Sequence, residues 1–301
     1  MELIAEGLKF PEGPIAMADG SVILVEIARG TLTRVLADGK TEVIAELGGG
    51  PNGAALGPDG AVYVCNNGGF TWIEAGPLLI PGDEAHDYSG GRIERVDLAS
   101  GAVTTLYTEC DGNPLKGPND IVFDKQGGFW FTDHGKAHGR LRDRGAVFYA
   151  LPDGSAIREV AFPLEAPNGI GLSADEDFLF VAETPTARLW KFKINAPGEI
   201  EHQAPFGGEC IAGMGGHQFF DSLALDADGN VCVATILNGG ITCISPDGKD
   251  VKHVPMDDTL VTNICFGGAD LKTAYITLSS TGRLVKTAWD VAGLPLNFLN
   301  P

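Results

Sequence analysis

Residues 52–66 read NGAALGPDGAVYVCN. An oxygen-bearing side chain leads, a short apolar run follows, Pro-Asp-Gly makes a turn, and a second apolar run answers the first. Asp-Gly between two apolar runs is a strong hairpin signal, because the tight turn needs residues free to take positive φ. The plan recurs five more times. It is EGPIAMADGSVILVE from Glu12, NDIVFDKQGGFWFTD from Asn119, NGIGLSADEDFLFVAE from Asn168, DSLALDADGNVCVAT from Asp221 and NICFGGADLKTAYITL from Asn263. In four of the six a glycine stands eight residues after the leading polar residue, at Gly20, Gly60, Gly127 and Gly229.

A third run follows in every unit: GTLTRV from Gly30, GRIERV from Gly91, GAVFYA from Gly145, ARLWKF from Ala187, GITCIS from Gly240 and GRLVKT from Gly282. These runs alternate and are rich in β-formers, so they predict strands. A turn and a fourth run come after most of them, as in TEVIAEL, SAIREVAF and DVKHVPM. Four antiparallel strands repeated in units of about 40–50 residues make a β-propeller. The expected fold is therefore all-β, one six-bladed propeller over residues 1–301, and not the two domains that length alone suggests. The opening LIAEGLKFPEGP matches VIAELGGGPNG, the fourth run and leader of the next unit. The N-terminal run should then be the outer strand of the last blade, which leaves no frayed edge. Trp130 and Trp190 fall within strands and are expected in the core.

The charge balance is 21 Lys+Arg against 40 Asp+Glu, a net −19. Nucleic acid and anionic membranes are poor partners for such a chain, since phosphate binding needs a basic face. A cation is a compatible partner, and a solubilising surface explains the count equally well. The N-terminus lacks the basic and apolar segments of a secretion signal, and no apolar run is long enough to span a bilayer. The six cysteines include no C-x-x-C pair, and Cys65, Cys232 and Cys243 sit in apolar runs as small buried hydrophobes. A reducing cytoplasm is the expected home. No G-x-S-x-G elbow is present, and GGGPNG and GIGLS precede no predicted helix, which argues against a serine hydrolase and a nucleotide site.

The first strand of each propeller blade lines the central channel. Glu12, Asn52, Asn119, Asn168, Asp221 and Asn263 open that strand in all six blades and should ring the axis on one face. Two carboxylates and up to four amides suit a hard divalent cation. Asx side chains also make such turns without any metal, but all six leaders are oxygen donors and the acids occupy only two blades. The residues ending the second strands, Glu26, Asn66, Asp133, Glu183 and Thr235, face the same end and should support the ring or continue the polar lining.

The chain resembles the SMP-30/gluconolactonase/luciferin-regenerating-enzyme family of six-bladed propellers over its whole length. The carriers are FPEGP at Phe10–Pro14, GPNDIVFD at Gly117–Asp124, FTDHG at Phe131–Gly135, APNGIGLS at Ala166–Ser173 and FDSLALDADGNVCVA at Phe220–Ala234. The resemblance implies one divalent metal at the channel mouth, Ca²⁺ first, with Zn²⁺, Mn²⁺ or Mg²⁺ as alternatives. It implies Glu12, Asn119, Asn168 and Asp221 as ligands. It supports Asn52 and Asn263 less firmly, which leaves open whether they orient the ligands or touch substrate. Ser222 is placed behind the ligands. The implied activity is hydrolysis of a small sugar-type lactone, with Asp221 activating water. A phosphotriesterase or organofluorophosphatase and a non-catalytic binding scaffold are the competing readings.

His134, next to Asp133 on the same face, is a second acid/base candidate with an expected pKa near neutrality. Three long segments, 70–90, 134–144 and 206–220, should cluster over the metal as a substrate lid. They and the neighbouring segments contribute Asn66, Trp72, Tyr88, Lys116, Arg140 and His217 as pocket candidates. The basic run HGKAHGRLRDRG could receive a carboxylate or phosphate. The sequence says nothing of oligomeric state.

Overall fold

The computed structural model describes residues 1–203 and 207–300. Six antiparallel blades surround one axis, each running from an inner to an outer strand; five are four-stranded, and the fourth carries an extra short strand, Glu199–Ile200, paired with the end of Arg188–Ala196. Blade 1 comprises Pro11–Ala16, Val22–Glu26, Thr31–Val35 and Thr41–Glu46. Blade 2 comprises Pro51–Leu56, Val62–Asn66, Arg92–Val96 and Val103–Tyr107, and blade 3 Pro118–Phe123, Phe129–Asp133, Gly145–Ala150 and Ile157–Leu164. Blade 4 comprises Pro167–Leu172, Phe178–Glu183, Arg188–Ala196 and Glu209–Gly213, and blade 5 Phe219–Leu225, Val231–Ile236, Gly240–Ile244 and Val251–Pro255. Blade 6 takes Val261–Gly267, Thr273–Leu278 and Arg283–Ala288 from the C-terminal end and Glu2–Ala5 from the N-terminal end. Leu3 lies opposite Val285, so the expected closure of the ring is present.

Each blade buries both faces, one against each neighbour. Val25 and Leu32 of blade 1 pack with Val62 and Val64 of blade 2. Tyr63 and Ile93 of blade 2 pack with Phe129 and Phe131 of blade 3. The same interdigitation joins blades 3 and 4 through Trp130 and Trp190. It joins blades 4 and 5 through Phe180 and Val233, and blades 5 and 6 through Ile241 and Ile276. Leu24 and Leu284 complete the ring between blades 1 and 6. Burial on both faces is why the second strands read as continuous apolar runs, such as VILVE and FWFTD, rather than as clean alternation. Each large side chain so buried contributes roughly 1.5–3 kcal/mol, and the six seams make a rigid support for the axis.

The two ends of the channel differ. On the leader face, a hairpin of Phe70–Ala75 and Leu78–Glu84 leaves blade 2 and reaches blade 6, where Leu79 N–H donates to Ser280 O at 2.8 Å. Trp72 of this hairpin lies against Phe10 of blade 1, ring centroids 5.2 Å apart. A shorter hairpin, Ala137–His138 with Leu141–Arg142, rises from blade 3. On the opposite face the C-terminal tail crosses the opening. Leu294 N–H donates to Leu225 O, and Asn297 Nδ2 donates to Phe123 O and Glu176 Oε1. The tail covers a cavity of about 160 Å³ that runs along the inner strands from their far ends up to Gly13, Asp120 and Asn263.

One expected loop is not a loop. Much of 206–220 is the outer strand of blade 4, Glu209–Gly213, which pairs with Arg188–Ala196. The pairing takes up backbone groups that a surface loop would leave to water. Only the stretch from Met214 to Gln218 remains as a connection to blade 5, and Phe206 lies outside the described residues.

Candidate metal centre at the channel mouth

All six inner strands break register at the leader. The shifts fall between Glu12 and Ile15, Pro51 and Ala54, Pro118 and Ile121, Pro167 and Ile170, Phe220 and Leu223, and Val261 and Asn263. Such bulges re-aim side chains and are common beside functional sites. Crowding at the axis fixes the next residue. At Gly13 (φ +52) a Cβ would stand 2.7 Å from Asn52 O, and at Gly169 it would stand 2.7 Å from Asp221 O. Only glycine lets the inner strands approach so closely, which explains Glu-Gly and Asn-Gly at these leaders.

Glu12, Asn52, Asn119, Asn168, Asp221 and Asn263 are all buried. Asn263 Nδ2 donates to Glu12 Oε2 at 2.7 Å, and Gly13 N–H donates to the same oxygen. Asn263 is thus an orienting partner of Glu12. Asn168 Nδ2 faces Thr184 Oγ1 at 3.1 Å, and Ser222 Oγ stands 3.4 Å from Asn168 Oδ1. Burial, and then the nearby Asp221 carboxylate, push the Glu12 pKa well above the usual carboxylate range. Asp221 is also pushed well up by burial, with the Asn168 amide opposing and the Asp120 charge adding. Among the described residues neither carboxylate meets a Lys, Arg or His in an ion pair.

Two acceptors in this ring, Glu12 Oε1 and Asn119 Oδ1, are buried without any hydrogen-bond partner. Leaving one buried acceptor unpaired costs about 1–3 kcal/mol. A cation would satisfy both oxygens and neutralise the two carboxylates. Among the described residues no three His, Cys, Asp or Glu side chains stand together as a metal site, so a cation here would rely on the amides of Asn119 and Asn168 beside Glu12 and Asp221. That all-oxygen donor set fits a hard divalent ion and not a soft one.

The residues ending the second strands do something else. Glu26 accepts from Lys9 N–H at 2.7 Å and Asn66 Oδ1 from Gly50 N–H at 2.9 Å. Asp133 accepts from the N–H groups of Lys116 and Gly117, both at 2.7 Å, and Glu183 from Glu165 N–H at 2.8 Å. Each clasps the backbone just before the leader of its own blade. Thr235 bonds to Val233 O and Thr242 instead. Asn66 is fully engaged, since Oδ1 also accepts from Gly68 N–H and Nδ2 donates to Gly48 O and Glu94 Oε2. No polar atom of Asn66 is left for a substrate, which corrects its expected role.

His134 is also corrected. Burial, with Arg142 and Lys136 nearby, pushes its pKa down to about 3, not near neutrality. Its ring nitrogens lie 3.4 and 3.5 Å from Arg142 Nη2. That shift favours the neutral imidazole over the imidazolium at physiological pH. Tyr88 donates from its hydroxyl to Lys116 O at 2.7 Å and accepts from Gly91 N–H, so it shapes the wall through its ring. Trp72 lines the hairpin over blade 1, and His217 is exposed beside Phe219. Lys116 and Asn52 stand at the leader face in blades 3 and 2.

Residues 10–280 match the model of the SMP-30/gluconolactonase/LRE-like region. The chain belongs to this family. Lactonase drp35 of Staphylococcus saprophyticus is 30% identical over 259 residues, covering 85% of this chain and 72% of that protein. A gluconolactonase structure from Xanthomonas campestris superposes with a TM-score of 0.74 at 21% identity over 97% of this chain and 88% of that one. The structure of a calcium-binding protein, regucalcin, from Agrobacterium tumefaciens gives 0.76 at 16% identity with both chains covered in full. These two likenesses establish the shared propeller.

Within this family fold, two buried groups near the mouth escaped the sequence reading. Asp120 directly follows a leader, and burial holds its pKa up at about 7. The doublet Asn119-Asp120 was the available signal. Lys136 is buried with Nζ donating to Asn67 Oδ1 at 2.9 Å and Gly69 O at 2.8 Å, under the face of Phe70 at 3.7 Å. It ties the blade 3 loop to the base of the long hairpin, a contact between segments far apart in sequence.

Proposed function

We propose that this protein hydrolyses a small lactone at the channel mouth with the help of one divalent cation, Ca²⁺ first. The observation that carries the reading is the pair of unpartnered buried acceptors, Glu12 Oε1 and Asn119 Oδ1, with the Asp221 carboxylate near enough to Glu12 to raise its pKa. The names of relatives support the reaction class, since the staphylococcal protein is a lactonase. The hard oxygen donors support calcium, as does the description of a propeller of the same fold as calcium-binding.

Glu12, Asn119, Asn168 and Asp221 would hold the cation, which when bound polarises the lactone carbonyl and stabilises negative charge on its oxygen. Asn263 and Gly13 N–H fix one oxygen of Glu12 and leave Oε1 free to bind. Asp221 takes a proton from the attacking water. The ring ester C–O bond then breaks, and the proton held on Asp221 passes to the departing ring oxygen. The product is a hydroxy acid, whose carboxyl group releases its own proton to solvent and leaves as the carboxylate. Asp221 is assigned both transfers because it belongs to the ring, whereas the ring nitrogens of His134 face Arg142. The Phe70–Glu84 hairpin, anchored through Trp72 and Leu79, limits access of bulk water from one side.

A panel of sugar and alkyl lactones tests this on metal-stripped protein resupplied separately with Ca²⁺, Mn²⁺, Mg²⁺ or Zn²⁺. Hydrolysis should be absent without metal and return with Ca²⁺. Undiminished turnover in thoroughly chelated protein would remove the cation from the reaction, and no turnover of any lactone under any metal would remove the reaction class.

A further inference from the structure

We propose that Cys232 and Cys243 are a reversible dithiol–disulfide pair, with Cys243 the sulfur that reacts first. The two lie directly opposite each other on adjacent strands of blade 5. Opposed residues of an antiparallel pair have Cα atoms about 4.5–5.5 Å apart, within the ~4.4–6.8 Å that a disulfide bridges without backbone movement. Their side chains share one face of the sheet. The register places no cysteine opposite Cys65, Cys210 or Cys265, which face Ile93, Trp190 and Tyr275.

The two thiols differ in setting. Cys232 is wholly buried, whereas Cys243 is partly exposed and lines a groove of about 650 Å³ with Lys252, His253, Asp226 and Trp289. Cys232 is the small buried residue expected, whereas Cys243 departs from that expectation. Lys252 stands opposite Cys243 on its other side. The Cys232 thiol favours the thiolate of Cys243 and pulls its pKa down against burial and the Asp226 carboxylate, with a smaller favourable pull from Lys252, while Cys232 is pushed up. A reachable thiolate beside a protected resolving thiol is the arrangement of redox-responsive cysteines.

The oxidant is a hydroperoxide. The Cys243 thiolate attacks one peroxide oxygen, the O–O bond breaks, and hydrogen peroxide leaves hydroxide and a sulfenic acid on Cys243. Cys232 then attacks that sulfur, forming the S–S bond as the sulfenic oxygen and the thiol proton depart in water. Two thiols and one peroxide thus give one disulfide and two waters. A dithiol reductant reverses the bond by exchange.

The test treats the reduced full chain with one equivalent of hydrogen peroxide, followed by acid quench, alkylation and mass mapping. The expected product is a monomer lighter by two hydrogen atoms, with one Cys232–Cys243 linked peptide that dithiothreitol removes. Cys243→Ser should abolish the link, and Cys232→Ser should leave a sulfenic acid on Cys243 that dimedone traps. Cys210→Ser, which alters an exposed thiol outside the pair, should link as wild type does. Intact thiols in wild type, oxygen added to Cys243 without a link, or a link through another cysteine would each overturn the proposal. The wild-type map decides the question even where a serine variant folds poorly.

Discussion

At the scale of single residues, Glu12 and Asp221 were legible because a propeller repeat lines up equivalent positions, and an acid among amides stands out. What an oxygen bonds to was not legible. Asn66 and Asn168 look alike in the sequence, yet one clasps backbone and the other faces the ring. The distinction is testable. Asn66→Ala strands Gly50 N–H, Gly68 N–H and Glu94 Oε2, so it should cost at least about 2 kcal/mol in denaturant unfolding and leave the KM for lactone unchanged. A raised KM with unaltered stability would instead put Asn66 at the substrate. Asp221→Asn should do the opposite, lowering kcat by about 10²–10⁴-fold. In chelator it should melt no lower than wild type, because removing one of two crowded carboxylates relieves repulsion with Glu12. Rates and thermal melts on the same preparation check both halves.

At the scale of elements, strands and hairpins were visible because Asp-Gly turns punctuate them, but the bulges at all six leaders were not. A bulge is set by how closely neighbouring inner strands crowd, as at Gly13, and one strand's letters do not contain its neighbour. The lids were visible as length only. Their attachment depends on Lys136, and the sign of its effect can be worked out. The ordinary lysine value is 10.5, and burial brings Lys136 down to about 7, against the opposing pull of Glu84 and Asp133. Between these values the unfolded chain holds a proton that the folded chain lacks. Stability should therefore rise with pH across that window, by about 1 kcal/mol per unit, and the cost of the buried charge is fully present below it. Lys136→Met should lose this slope while retaining the rest of the pH profile. Denaturant unfolding at several pH values above 7 measures the difference, and parallel profiles for the two proteins would show that Lys136 is solvated as an ordinary ammonium.

For the whole molecule, repetition made the ring and its closure by Glu2–Ala5 readable, whereas the tail that caps the far end repeats nothing and could not be placed from sequence. The proposed ligands come from blades 1, 3, 4 and 5, so a cation at the axis would join blades that share no seam, such as 1 and 3. Its binding energy then belongs to the folded ring as a unit, because an opened ring separates Glu12 from Asp221. At a hundredfold excess over its dissociation constant the ion should add about 2.7 kcal/mol. For a chain of 301 residues that corresponds to a melting shift of about 4 °C. Scans in chelator and in excess Ca²⁺ should show that shift as a single transition that moves intact, not as a second transition from one blade. Asn119→Ala, which removes one unpartnered acceptor, should shrink the calcium-dependent part of the shift and spare the rest. An identical melting temperature with and without Ca²⁺ would mean that Glu12 and Asp221 share a proton at the axis in place of an ion.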